Sequence, residues 1–356
     1  MHRPASTSSA PAVHVVGVGT IGAPLIRLLL RHRAELGLGE VSFHKRGAHP
    51  AERPALEALV RAGARLCASS SSRAEHRALG LEPAADVEDA LAAADAVVDC
   101  TPAALEQRER YRRLERPRVF VAQGSEHGFG KPYAWGVNDA AVDPAEDRWL
   151  QVMSCNTHGL ASLIQALSGD APAAVRRARF VCLRRANDVG KEGGQVASPS
   201  PTLPTSARFG THHARDVHAL FATRSLDLDV RSAAIKLPTQ YMHAFQFELE
   251  LSDPIAREDA LARLAANPRV ALTRRRSASE VFAFAREHGF SGRLLNHAVV
   301  AGDTVATHGP WVTGFGYTPQ DGNTLLSSAA AVVRAVHPQD APARLACLRP
   351  YLFAEV

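Results

Sequence analysis

The stretch that most limits what this chain can become is Val13-His-Val-Val-Gly-Val-Gly-Thr-Ile-Gly22. Four residues of strand character run into Gly17-x-Gly19-x-x-Gly22, and the residues from Pro24 to Leu30 have the apolar spacing of a helix. In that context each glycine has its own task. The first permits a tight turn, the second lets backbone approach a pyrophosphate, and the third lets helix pack on strand. The helix N-terminus then faces the anion. Gly17, Gly19, Thr20, Ile21 and Gly22 are therefore expected to bind a dinucleotide.

Strands and helices continue to alternate behind this loop. VSFHK, RLCAS, AVVDCTP and RVFVAQG read as strands, with helices at Pro54 to Gly63, Val87 to Ala94 and Leu105 to Leu114. Such alternation predicts an α/β fold, a Rossmann-type doubly wound parallel sheet. After Cys155 the texture changes. A helix from about Thr157 to Leu167 precedes the β-rich segments RRARFVCLRRA, SAAIKLP and YMHAFQFELEL, which predict an α+β catalytic domain with a mainly antiparallel or mixed sheet. At 356 residues the chain exceeds one hydrophobic core. We expect a disordered tail over 1–12, a dinucleotide-binding domain over 13–154 and a catalytic domain over 155–318. Residues 319–356 are expected to return to the first domain through a helix at Thr324 to Val336. Asn187 to Ser206, dense in Gly, Pro and Ser, reads as a long loop near the site or at a subunit contact.

The second strand ends Phe43-His44-Lys45-Arg46, at the place where an NAD-preferring fold offers a carboxylate to the ribose hydroxyls. Cations there attract a 2′-phosphate, so Lys45 and Arg46 favour NADP, with NAD as the alternative. The net charge is +5, with Lys and Arg scattered among Asp and Glu. That balance fits small anions as partners and neither nucleic acid nor a membrane surface. The five cysteines are odd in number and form no C-x-x-C pair, which argues against a disulfide framework or zinc ribbon and for a reducing cytoplasm. No metal site is expected. The apolar run from Val13 to Leu30 is broken by Gly17, Gly19, Gly22 and Pro24, so it reads as neither signal peptide nor membrane span.

Val152-Met-Ser-Cys-Asn-Thr-His-Gly-Leu160 places a cysteine on the threshold of a helix. Unpaired backbone N–H groups and the helix dipole stabilise a thiolate at such a position. A structural cysteine beside a helix cap is the alternative. The surrounding residues decide between them. VMSCNTHGL resembles the S-C-N-T-T-G-L signature of the archaeal-type (type II) glyceraldehyde-3-phosphate dehydrogenase family. Other matches follow the family's order: the VGVGTIG loop, Asp99-Cys-Thr-Pro102, Phe120 to Gly124, Arg184-Arg185, His212-His213 with Asp216-Val217, and Lys236-Leu-Pro-Thr239 leading to Met242-His243.

The resemblance implies that Cys155 is the nucleophile and His243 its general base. An aldehyde would form a thiohemiacetal on Cys155, and hydride transfer would leave a thioester for inorganic phosphate to resolve as an acyl phosphate, in either direction. It places Thr101, Pro102, Gln123 and Gly124 at the cofactor, with Asn323 of Asp321-Gly-Asn-Thr-Leu near the nicotinamide, although a helix cap also explains Asn323. Asn156, Thr157, Arg184 and Arg185 would serve the substrate, with Arg185 the favoured of the two arginines. His212 and His213 would add donors to the anion or lie on a surface turn. The family assembles as homo-oligomers, so a tetramer or dimer is expected.

Four departures fall on the substrate side. His158 replaces a threonine, Ala214-Arg215 replaces Gly-Pro, Asp188-Val189 replaces Asp-Pro, and GKEGGQVASPSP replaces the usual G-P-x-N-A-I segment. His158 and Arg215 would enrich the site in positive charge, which fits an anionic aldehyde (phosphorylated, phosphonate or carboxylate) other than glyceraldehyde 3-phosphate. Two other readings stay open. In one, water or coenzyme A resolves the thioester; in the other, the chain is a non-catalytic sensor of dinucleotide or metabolite.

Overall fold

The computed structural model describes residues 10–124, 126–169, 174–187 and 196–356. Most of the expected tail, Asp188-Val189 and the start of the GKEGGQV segment lie outside the described residues. The chain divides into two units, one of residues 1–130, 144–150 and 328–347, the other of 131–143, 151–327 and 348–356.

The first unit opens with β1 (Val13–Val16), α1 (Gly22–Arg31), β2 (Val41–His44), α2 (Arg53–Arg61) and β3 (Arg65–Cys67). It continues through α3 (Arg73–Ala78), α4 (Val87–Ala93), β4 (Ala96–Asp99), α5 (Ala104–Tyr111) and β5 (Val119–Gln123). Within this unit the strand order is β3-β2-β1-β4-β5, and β6 (Lys131–Tyr133) and β7 (Trp149–Val152) follow along the chain. The pairs β1–β2, β1–β4, β2–β3 and β4–β5 are all parallel. All four residues of β1 and of β4 are buried, the mark of strands covered on both faces. Helix α1 supplies part of that cover through Leu25, Ile26, Leu28 and Leu29. This is the expected Rossmann-type doubly wound sheet.

The second unit contains α6 (Cys155–Ser168), β8 (Val175–Arg184), β9 (Ser200–Pro201), α7 (His212–Ala222), β10 (Asp229–Lys236) and β11 (His243–Leu251). After these come α8 (Arg257–Ala266), β12 (Val270–Thr273), α9 (Ala278–His288), β13 (Ala298–Ala301), β14 (Ala306–His308) and β15 (Trp311–Thr318). Further along the chain come α10 (Leu325–Val336), which belongs to the first unit from residue 328 onward, and α11 (Ala341–Arg344), also of the first unit. The main path of this sheet is β12-β13-β15-β11-β8-β10-β9, with β14 paired to β15. It is mixed: β8 and β10 are parallel, whereas β11 is antiparallel to both β8 and β15. Residues of β11 alternate between buried and half-buried, so one sheet face is fully committed to the core. There Phe180, Phe245, Phe247 and Leu249 meet Leu160, Leu163, Ile164 and Leu167 of α6.

Topology brings distant residues to one end of this sheet. In a parallel crossover the helix starts at the carboxyl end of the strand it follows. His212 and His213 at the head of α7 therefore sit by Arg184, the last residue of β8. The antiparallel pairing of β11 with β8 sets His243 at the same end, and its register partner on β15 is Thr318.

Candidate active site

In the first unit, the glycine loop shows why its spacing works. Gly17 has φ +83°, and a Cβ there would lie 2.9 Å from Thr101 Cγ2. At Gly22 a Cβ would stand 2.0 Å from the Gly17 carbonyl oxygen, so only glycine lets α1 start so close to β1. A Cβ at Gly19 would meet nothing within 4 Å, which leaves open space above the loop.

A cleft of about 600 Å³ adjoins this loop and is lined by Gly17, Lys45, Arg46 and Thr101 among the anticipated residues. It is also lined by His44, Gln107 and Arg110, which the sequence reading did not single out. No strand-end pattern points to Gln107 or Arg110, because they come from α5. Thr101 is fixed by Asp99, whose Oδ1 accepts from Thr101 N–H (2.8 Å) and Oγ1 (2.6 Å). Lys45 is 2.5 Å from the Glu52 carboxylate, whereas Arg46 is exposed. Gln123 exchanges hydrogen bonds with Ser328 (2.9 and 3.2 Å), and Gly124 takes φ +77°. Thr20, Ile21 and Pro102 do not line the cleft; Ile21 is the N-cap of α1. An open Gly19, a helix N-terminus and basic side chains beyond the second strand fit a dinucleotide.

In the second unit, Cys155 is the first residue of α6. Ser154 precedes it as N-cap in extended conformation, its Oγ accepting from Thr157 N–H at 3.4 Å. No acidic residue lies in the first turn, so nothing there opposes a thiolate. Cys155 is half-buried, while Cys182 behind it is wholly buried. Burial, reinforced by the charge of Cys155, pushes the Cys182 thiol up to about 12. Burial likewise raises the thiols of Cys67, Cys100 and Cys347.

A hydrogen-bond network holds the nucleophile's surroundings. Asn323 Nδ2 donates to the Cys155 carbonyl (2.9 Å) and to the His297 carbonyl (3.0 Å), while its Oδ1 is buried with no partner among the described residues. Asn156 Oδ1 accepts from Thr318 Oγ1 (3.1 Å), and its Nδ2 lies 3.5 Å from His213 Nε2. With Nε2 accepting, the proton of His213 is on Nδ1, which is buried without a partner among the described residues. The rings of His212 and His213 stand 3.9 Å apart. Both are held neutral, chiefly by burial and also by the nearby Arg184 charge. They belong to the first turn of α7 and not to a surface turn.

The two neighbouring arginines divide their roles. Arg185 is 4% exposed and its guanidinium bonds Asp321 (3.1 and 3.3 Å) and the Tyr241 carbonyl (3.2 Å). The guanidinium of Arg185, the arginine favoured for the anion, is thus held in a buried ion pair. Arg184 shares the strand face of Phe180 and Cys182, is half-buried and acts electrostatically on His212 and His213. Its side chain has no ion pair among the described residues. Arg185 contributes through its backbone instead, its N–H donating to His243 Nδ1 at 2.9 Å. That bond puts the proton of a neutral His243 on Nε2. The ring therefore offers an N–H at that end, where a general base needs a lone pair.

His158 and Arg215 also differ from expectation. His158 is fully buried, its Nδ1–H donating to the Ser154 carbonyl (3.1 Å) and its Nε2 accepting from Ser327 Oγ (2.8 Å). Ser327 Oγ accepts in turn from Trp135 N–H at 2.9 Å. The His158 ring meets His297 edge to face, and burial lowers its pKa to about 4. It offers no donor to an anion and instead clamps the residue preceding Cys155. Arg215 is paired with Asp216 on its own helix (2.9 Å), which compensates its charge. Among the described residues no group of three His, Cys, Asp or Glu side chains is placed to hold a metal, and no helix is long and apolar enough to cross a membrane.

No protein-family model matches the chain. A glyceraldehyde-3-phosphate dehydrogenase from Hyperthermus butylicus is 30% identical over 240 residues, covering 66% of this chain and 67% of that protein. One from Metallosphaera sedula is 28% identical over 254 residues, covering 69% and 72%. A third, from Pyrobaculum arsenaticum, is 25% identical over 307 residues, covering 83% and 84%. Joined to the doubly wound sheet, the glycine loop and the cysteine at the head of α6, these likenesses make the chain a divergent member of the archaeal-type glyceraldehyde-3-phosphate dehydrogenase family.

Proposed function

We propose that the protein is a nicotinamide-dinucleotide-dependent aldehyde dehydrogenase that oxidises a small anionic aldehyde through Cys155 and passes the acyl group to phosphate, or runs the reverse. The observation that carries this reading is Cys155 at the first position of an acid-free helix N-terminus, with Asn323 holding its carbonyl. The Cys155 thiolate adds to the aldehyde carbon, forming a C–S bond and an alkoxide. His243, with Nδ1 engaged by Arg185, donates from Nε2 to that oxygen. When bound, the nicotinamide accepts the hydride that leaves the carbon. Collapse of the alkoxide gives a thioester, so this step needs no base. A phosphate oxygen then attacks the thioester carbon, the C–S bond breaks, and the thiolate returns with an acyl phosphate released.

Arg184, His212 and the Nδ1–H of His213 form the anion-binding set for the substrate. The cofactor is read as NADP, held by the Gly17 to Gly22 loop, Lys45, Arg46 and Thr101. The working form is a homo-oligomer in the cytoplasm. Purified protein assayed with NADP and NAD against a panel of anionic aldehydes, with and without phosphate, tests the reading. Phosphate-dependent turnover is expected. Inactivity in both directions across the panel would overturn it, and turnover independent of phosphate would favour water or coenzyme A as acceptor.

A further inference from the structure

A histidine pair that the glycine loop does not use runs from the core to the wall of the first unit's cleft. His14, the second residue of β1, is wholly buried where a doubly covered strand normally carries an aliphatic side chain. Its Nδ1 lies 2.8 Å from Ser42 Oγ and its Nε2 lies 2.7 Å from His44 Nδ1. His44 lines the cleft together with Arg46 and Arg110, and its Nε2 has no hydrogen bond among the described residues. Buried polar groups are costly unless bonded, so a satisfied Ser-His-His chain running from the core to the cleft wall is a built feature.

We propose that His44 determines cofactor choice: its Nε2 binds the 2′-phosphate of the dinucleotide, and the His14–His44 pair takes up one proton as that phosphate binds. This rests on the reading of the cofactor as NADP. The hydrogen-bond chain sets the limit of one proton. With His44 charged, its Nδ1–H donates to His14 Nε2, and His14 Nδ1–H donates to Ser42 Oγ, so every buried N–H keeps a partner. A second proton would set N–H against N–H between the rings.

The surroundings explain why the proton is absent beforehand. Burial and the Arg110 charge lower the pKa of His44 to about 4, and burial, His44 and Arg110 lower that of His14 well below its ordinary value. Of the fixed cations, Lys45 is compensated by Glu52 and Arg110 by Glu88 at 2.5 Å, while Glu106 adds an acid to the cleft wall. Among the described residues Arg46 is the cleft-lining cation without an ion pair. A phosphate reverses the sign of the local field and draws a proton onto His44. The neutral ribose hydroxyl of NAD gives no such drive.

Calorimetry on the full chain tests this with adenosine 2′,5′-bisphosphate and 5′-AMP at about pH 7.5, in two phosphate-free buffers of different ionisation enthalpy. The 2′-phosphate is already mostly dianionic there, so the ligand contributes little to the proton balance. Expected is uptake of roughly half to one proton with the bisphosphate and none with 5′-AMP. Bisphosphate affinity should fall roughly three- to tenfold per unit rise in pH. His44→Gln should abolish the uptake and weaken the bisphosphate about tenfold while leaving 5′-AMP unchanged. The wild-type buffer comparison stands whether or not the variant folds. Tighter binding of the bisphosphate without proton uptake would overturn this inference and leave the NADP reading in place. Equal binding of the two nucleotides would overturn both.

Discussion

The two units build their sites in opposite ways. In the first, the cofactor cleft grows from a contiguous loop, and backbone conformation at Gly17, Gly19 and Gly22 does most of the work. In the second, Asn156, His213, His243, Thr318 and Asn323 come from different segments, and each is held by a side-chain hydrogen bond near one end of a mixed sheet. A backbone site tolerates change around it; a site made of linked side chains does not.

Changes confined to one unit can break that contrast. The largest effect is expected from Cys155→Ser, which should lower turnover on the order of 10⁴-fold while dinucleotide affinity, read by fluorescence titration, stays constant. Parallel loss of binding would refute the separation of tasks. Arg185→Ala should destabilise the protein by about 3 kcal/mol in denaturant unfolding, because Asp321 loses its buried partner. Arg184→Ala should leave stability within about 0.5 kcal/mol and raise KM for the aldehyde about tenfold or more. If the two variants exchange phenotypes, the assignment of the anion site is wrong.

Acid should expose the second unit's buried histidines. His158 and His297 are neutral in the folded chain because burial disfavours their charged forms, while the unfolded chain binds protons below about pH 6.5. The unfolded state then holds more protons, so stability falls as pH drops from about 6.5 towards 4. The slope is about 1.4 kcal/mol per pH unit for each such histidine. His158→Thr should flatten the thermal-unfolding profile by one histidine's share, and an unchanged slope would argue against its neutral burial. Gly22→Ala should reduce dinucleotide affinity at least about tenfold, or about 1.4 kcal/mol, while Cys155 still reacts with iodoacetamide. Arg46→Ala should show the smallest change, roughly a fivefold loss of NADP over NAD preference in paired titrations.

The same contrast governs what could be read in advance. The parallel sheet and glycine loop were legible because they depend on local periodicity and on residues adjacent in sequence. The mixed character of the second sheet was legible from its long β-rich segments, but α3, α7, α8 and α9 were not singled out. In α7 the pair His212-His213 resembles a surface turn until the β8–β10 crossover is known. Arg184 and Arg185 cannot be told apart by composition, since strand alternation assigns them to opposite faces only once the register is seen. His158 reads as an added donor by residue type. Its hydrogen bonds to Ser154 and Ser327, the second 169 positions away, show the ring turned inward. Gln107 and Arg110 were missed because no short motif links α5 to the end of β2.

The chain from Trp135 through Ser327 and His158 to Ser154 has a practical meaning for anyone recombining sequences within this family. Grafting the helix that carries the nucleophile into a relative without a serine at the position of Ser327 would transplant an imidazole without its hydroxyl donor, while placing threonine at 158 here would take the acceptor from the Ser327 O–H. The imidazole at 158 and the hydroxyl at 327 form one unit, and chimeras should be cut so that both travel from the same parent.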